Sequence, residues 1–255
     1  MFWFIFIASI YLTILVLVSI FRRKAAPAER RVALVIGNAA YKLAPLNNPT
    51  KDASDMADAL KRLGFEVVEC HDLGVAQMRS VFANFETKAR AADWALVYYS
   101  GHGMEWDGEN WLIPIDANTP SQAVSVEHVL RHLRGAKKLR IVILDSCRVN
   151  PLHTRMVMNE GLFRVMTQGL ARMMPAFGEI VFFAARHNKV ALDGKKGENS
   201  PFAKALLKHL GEEGLELGRF FRKVTSSVLA ATNNFQEPHV YGRIPDEDFY
   251  LKPRP

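Results

Sequence analysis

Five short strand-like runs, most of them apolar and most set off from the next by a stretch of helical spacing, constrain this chain more than any other feature of its sequence. The first, Val32-Ala33-Leu34-Val35-Ile36, is continuous rather than alternating, as a strand covered on both faces requires, and it ends at Gly37. Residues 65–69, 94–99, 140–144 and 180–184 supply the other four. Between the first two, residues 51–63 carry Ala53, Met56, Leu60 and Leu63 at helical intervals, with Thr50 as the expected cap and Gly64 as the stop. Residues 75–91, 126–134, 200–210 and 215–229 read as further helices, and the third of these opens on Ser200 as cap with Pro201 at its first helical position. This alternation predicts an α/β domain over residues 30–253, built on a mostly parallel sheet.

Ahead of that domain, residues 1–21 contain no Asp, Glu, Lys, Arg or His. At about 1.5 Å per residue, a helix of that length crosses a hydrocarbon core of roughly 30 Å, so a transmembrane anchor is expected. A signal peptide is the rival, since Ala26-Pro27-Ala28 resembles a small-residue cleavage site. A signal peptide carries its cations before the apolar stretch, however, whereas Arg22, Arg23 and Lys24 follow it. Residues 22–29 then form a basic, Ala/Pro-containing linker. The same cations favour a single-pass protein of the inner membrane with its domain in the cytoplasm, a periplasmic domain being the alternative.

The net charge of +7 needs no nucleic-acid partner. Arg22, Arg23, Lys24, Arg30 and Arg31 against Glu29 account for +4 of it, as a collar beside anionic headgroups. Two cysteines, Cys70 and Cys147, are too few for a disulfide framework, and neither has metal-ligand spacing. The remaining histidines form no HExxH or comparable set, and no phosphate loop follows the first strand, so zinc and nucleotide chemistry are not expected.

In an open parallel sheet, reacting groups gather beyond the carboxyl ends of the strands. Two of those ends carry chemistry: 94–99 runs into Ser100-Gly101-His102-Gly103, and 140–144 into Asp145-Ser146-Cys147-Arg148. A cysteine is nucleophilic as thiolate, and an imidazole within reach can take its proton and later return one to a leaving amine. The flanking glycines are expected to let the backbone turn sharply at His102, and the N–H groups of Gly103 and Cys147 are candidate oxyanion donors. Taken singly, such a histidine is often a satisfied surface residue and such a cysteine often packs in a core. Cys70, with no histidine near it in sequence, reads as structural.

The pair, taken together, resembles the caspase, paracaspase and metacaspase superfamily of cysteine peptidases, in which a histidine lies about 50 residues before the cysteine. Asp145-Ser146-Cys147-Arg148 keeps the Cys-Arg pair but not the flanking Gln and Gly of animal caspases, which points to the bacterial metacaspase-like (orthocaspase) branch. The similarity extends to residues 31–38, to Leu46-Asn47-Asn48-Pro49 with Asp52-Ala53, to Tyr99-Ser100-Gly101-His102-Gly103 and to residues 112–117. It continues in Cys147-Arg148-Val149-Asn150-Pro151, and in Ala191-Leu192-Asp193-Gly194 leading to Asn199-Ser200-Pro201-Phe202.

The resemblance implies a caspase-like three-layer α/β/α sandwich, and a cysteine endopeptidase with His102 and Cys147 as its catalytic pair. It also implies a substrate pocket formed by Asp52, Ser100 and Asp145 that accepts Arg or Lys, hence protein or peptide substrates with basic residues. A carboxylate pair in a partly desolvated pocket suits that choice. Helix-dipole stabilisation is the alternative role for Asp52 and turn capping that for Asp145. Many metacaspases need calcium, yet no long acidic insert follows His102, so no metal or other cofactor is expected. Arg155, Arg164 and Arg172 lie between the fourth and fifth strands, and Arg172 is the expected point of self-cleavage. A membrane-tethered interaction module that keeps the fold but cuts nothing is the alternative function.

Overall fold

The computed structural model describes residues 29–147, 173–186 and 191–254. The expected anchor (1–21), all of the linker except Glu29, and the arginines at 155, 164 and 172 lie outside the described residues. Among the described residues, no helix is long and apolar enough to cross a membrane.

Strand β1 (Arg31–Gly37) is flanked by β2 (Phe65–His71) and β3 (Trp94–Trp106), and β3 is followed across the sheet by β6 (Leu139–Cys147), β7 (Glu179–Phe183) and β8 (His239–Gly242). All neighbours are parallel except β7 and β8. The sheet is therefore mixed but mostly parallel. Beyond the main sheet β3 pairs in antiparallel fashion with β4 (Glu109–Leu112), which in turn pairs with β5 (Val124–Ser125).

Strand alternation sorts the core into two layers. Val35, Leu96, Tyr98, Ile141, Ile143 and Phe182 face α1 (Pro49–Arg62), α4 (Pro201–Leu210) and α5 (Leu217–Ala231). Their neighbours Leu34, Ile36, Val97, Tyr99, Val142 and Phe183 face α2 (Val75–Arg90) and α3 (Val126–Leu133). Because both faces are covered, the strands had to be continuously apolar. Each fully buried Leu or Phe contributes about 1.5–3 kcal/mol of transfer free energy, which outweighs the weak helix propensity of stretches such as Val81-Phe82.

Two expectations need correction. Helix α1 begins at Pro49 with Asn48 as its cap, not Thr50, and the Asn48 side chain is engaged elsewhere. The third strand does not end at residue 99 but continues to Trp106, so His102 lies within a strand and the backbone does not turn there. The β4–β5 pair and the edge strand β8 were not foreseen. Ser200 does cap α4, accepting the Ala203 N–H at 2.9 Å, with Pro201 behind it.

Candidate active site

The parallel register of β3 and β6 brings the two strand ends side by side. Ser100 pairs with Asp145, Gly101 with Ser146, and His102 with Cys147, the last residue of β6. Adjacent strands lie about 4.8 Å apart, so the backbones of His102 and Cys147 are neighbours although 45 positions apart in sequence.

His102 is buried and held at both its main chain and its ring. Its N–H donates to the Tyr41 hydroxyl at 3.0 Å, and its carbonyl accepts from the Tyr99 hydroxyl at 2.8 Å and from the Ile113 N–H at 3.0 Å. The Tyr41 hydroxyl also donates to the Ile113 carbonyl at 3.0 Å. Gly101 is required by this arrangement for lack of space: a Cβ there would lie 2.7 Å from each tyrosine hydroxyl oxygen. At Gly103, a Cβ would come within 2.9 Å of Ser146 Oγ. These glycines serve close packing, not the sharp turn expected of them.

The imidazole packs at a tilt of 55° against the Tyr41 ring, centroids 4.3 Å apart, and its Nε2 lies 2.7 Å from the Ala44 carbonyl oxygen. A carbonyl only accepts, so Nε2 carries the hydrogen in the neutral ring and Nδ1 is the bare nitrogen. Nδ1 is buried and has no partner among the described residues. Burial pushes the imidazole below its ordinary pKa, opposed only in part by the Ala44 bond. The ring is a neutral base at physiological pH.

Two residues back on the same strands lies an acidic pocket, lined by Leu46, Asp52, Ser100, Asp145, Asp193 and Ser200. The structure thus brings Asp52, Ser100 and Asp145 together. Asp52, from the first turn of α1, accepts the Ser200 N–H at 3.1 Å, and Ser100 Oγ approaches it at 3.5 Å. Asp145 accepts from Ser200 Oγ at 2.5 Å and from the Tyr98 hydroxyl at 3.3 Å. Burial holds the Asp52 carboxyl up at about 6, against the pull of its hydrogen bonds. Burial and the neighbouring Asp52 charge push Asp145 up as well.

Sequence reasoning missed several members of this constellation. Asp193, in a loop far along the chain, forms a third acidic wall; Asn47 N–H bonds its carboxylate at 3.0 Å, and Asn48 Nδ2 bonds its carbonyl at 2.7 Å. Ser200 was legible only as a cap. Ala44 contributes a main-chain oxygen, and no side-chain signal could have marked it. Among the described residues, no group of three or more His, Cys, Asp or Glu is placed to hold a metal ion. Cys70 is half-buried, and burial raises its thiol pKa, so nothing activates it.

A family model described as a caspase domain matches residues 30–250. The chain is also similar to the mucosa-associated lymphoid tissue lymphoma translocation protein 1 of Homo sapiens and to its homolog in Mus musculus, each at 32% identity over 126 residues. That stretch is 48% of this chain but only 15% of either relative's length.

Proposed function

The chain belongs to the caspase-domain family, and on that premise we propose that it is a cysteine endopeptidase that cuts after Arg or Lys, with Cys147 as nucleophile and His102 as base and acid. The observation that carries the reading is the strand register. It sets His102 beside Cys147, and two residues back it sets Ser100 and Asp145 beside each other in the acidic pocket.

In the proposed reaction, Nδ1 of His102 takes the Cys147 proton and the thiolate attacks the scissile carbonyl carbon. The imidazolium is stabilised through Nε2–H by the Ala44 oxygen. The N–H groups of Gly103 and Cys147 are the proposed donors to the oxyanion. Collapse of the tetrahedral species breaks the C–N bond, the leaving amine takes the Nδ1 proton, and an acyl-enzyme remains. Water, deprotonated by the same nitrogen, then attacks the acyl carbon; the C–S bond breaks, the carboxylate product leaves, and the Cys147 sulfur regains the proton from Nδ1. A guanidinium or ammonium in the pocket satisfies Asp52, Asp145 and Asp193 through charge-assisted hydrogen bonds, whereas a substrate carboxylate is repelled.

The uncharged run of residues 1–21, followed by Arg22, Arg23 and Lys24, supports a membrane tether with the peptidase on the cytoplasmic side. The same specificity would make Arg172 a substrate of the enzyme itself. The deciding experiment is hydrolysis of paired peptides ending in Arg, Lys or Asp by the full chain and by Cys147→Ala, with calcium or a chelator. Cleavage after Arg or Lys that vanishes in Cys147→Ala, with or without calcium, is expected. Cleavage after Asp, or none, would sink the proposal, and the latter would favour a silent interaction module.

A further inference from the structure

A second pocket opens beside His102, lined among others by Tyr41, Leu43, Ala44, Ile113, Ile115 and Asp116. It shares one chain segment with the acidic pocket: residues 41–44 line the second pocket, and Leu46 lines the first. The His102 imidazole adjoins the second pocket through two of its lining residues, packing at a tilt against the Tyr41 ring and bonding the Ala44 oxygen.

The second pocket, unlike the first, has no cluster of carboxylates, and Leu43, Ala44, Ile113, Ile115 and Ala117 give it an apolar side. Ile113 is buried in its floor, Ile115 and Ala44 are half-buried in its wall, and Leu43 stands at its mouth 55% exposed. Of the two ionisable residues that line it, Lys42 and Asp116, the latter accepts the Val75 N–H at 2.8 Å and so serves the start of α2. A large apolar side chain exposed at the edge of a cleft is stabilised by a ligand that covers it.

We propose that this pocket receives an aliphatic or aromatic side chain from the residue that immediately follows the scissile bond, so that the enzyme reads a basic–apolar pair and cuts between them. The inference rests on the peptidase reading. If the basic side chain fills the acidic pocket and His102 protonates the leaving amine, the next residue of an extended substrate, about 3.3 Å further on, is carried past the imidazole to these apolar walls.

The test uses the full chain and internally quenched peptides that differ only in the residue after Arg: Gly, Leu, Phe or Asp. Leu and Phe are expected to exceed Gly in kcat/KM by on the order of 10-fold, with Asp poorest. In Leu43→Ser and Ile115→Ser the Leu-to-Gly ratio is expected to fall to within about 3-fold, a ratio internal to each variant and so independent of how much of it folds. Equal wild-type rates for Leu and Gly, a preference for Asp, or a ratio unchanged in both variants overturns this inference and leaves the peptidase reading standing. A wild type that cuts none of the peptides, and whose Cys147 an Arg chloromethyl ketone does not alkylate, removes both.

Discussion

His102 and Ala44 are joined through the imidazole Nε2 and the carbonyl oxygen at 2.7 Å, and that bond leaves Nδ1 as the basic nitrogen. The base therefore depends on a main-chain atom of a loop, and that loop is itself tied down. Asp72 Oδ1 accepts the N–H groups of Ala39 and Ala40 at 2.7 and 2.8 Å, five and four residues before Ala44. Asp72→Ala is expected to lower kcat by about 10-fold through misplacement of the imidazole, with little change in KM for an Arg peptide, because the carboxylates of the acidic pocket, Asp52, Asp145 and Asp193, stand on other segments. Steady-state kinetics on that variant check the split; a rise in KM alone would contradict it.

Acid is expected to affect binding before it affects the base. The Asp52 carboxyl titrates at about 6 and Asp145 is raised too, whereas the His102 imidazole is pushed below its usual value. As pH falls through about 6 the pocket loses negative charge while Nδ1 is still free to accept a proton. For an Arg substrate kcat/KM should therefore fall with an apparent pKa near 6 while kcat, set by the bound complex, stays flat to lower pH. Coincident acid limbs in the two profiles would rule this out.

Tyr41 is expected to couple stability to the proposed catalysis. Its hydroxyl accepts the His102 N–H and donates to the Ile113 carbonyl, so Tyr41→Phe leaves a buried donor unsatisfied, at a cost of about 1–3 kcal/mol. Thermal unfolding should register that loss, and kcat should fall with it. Gly101→Ala, whose new Cβ meets the same hydroxyl, should be at least as destabilising.

These residues also mark what the sequence could and could not disclose. Four of the five strands were legible because burial on both faces demands unbroken apolar runs, and the ends of two of them carried the histidine and the cysteine, whereas the edge strand β2 is only partly buried and carries Glu66 and Glu69. The extension of β3 to Trp106 was hidden because Ser100-Gly101-His102-Gly103 has poor strand propensity, and glycine in an isolated sequence signals a turn. Here Gly101 is set by two tyrosine hydroxyls that occupy the space of its Cβ, a constraint that exists only after folding. Asp193 was invisible for a similar reason: it reaches the pocket through Asn47 and Asn48, about 145 positions away, and no local pattern encodes that contact.

The two cysteines should separate by reactivity. Burial and the Glu69 charge raise the Cys70 thiol pKa, so iodoacetamide should modify Cys70 slowly near neutral pH. Cys147, if paired with His102, should react faster, and His102→Ala should slow Cys147 while leaving Cys70 unchanged. Mass spectrometry of labelled peptides reads both sites at once, and equal rates for the two thiols would count against an activated nucleophile.

Asp52 offers a trade between stability and function. Its pKa rises from an ordinary 3.8 to about 6 on folding because burial disfavours the charge, so the folded protein keeps a proton that the unfolded chain has released. Stability therefore falls as pH rises between those two values, and the penalty persists above the upper one. Asp52→Asn removes the charge, and its side-chain oxygen can still accept the Ser200 N–H. The variant should be more stable than wild type at pH 7.5, by on the order of 1–3 kcal/mol, and should show little gain at pH 4. It should also lose at least about 10-fold in kcat/KM for an Arg peptide, since a buried partner of the substrate cation is gone. Thermal melts at the two pH values and peptide hydrolysis measure both sides. A variant that is destabilised at pH 7.5, or that cuts Arg peptides as well as wild type does, would show that Asp52 is held in place by structure and not by the substrate it is proposed to bind.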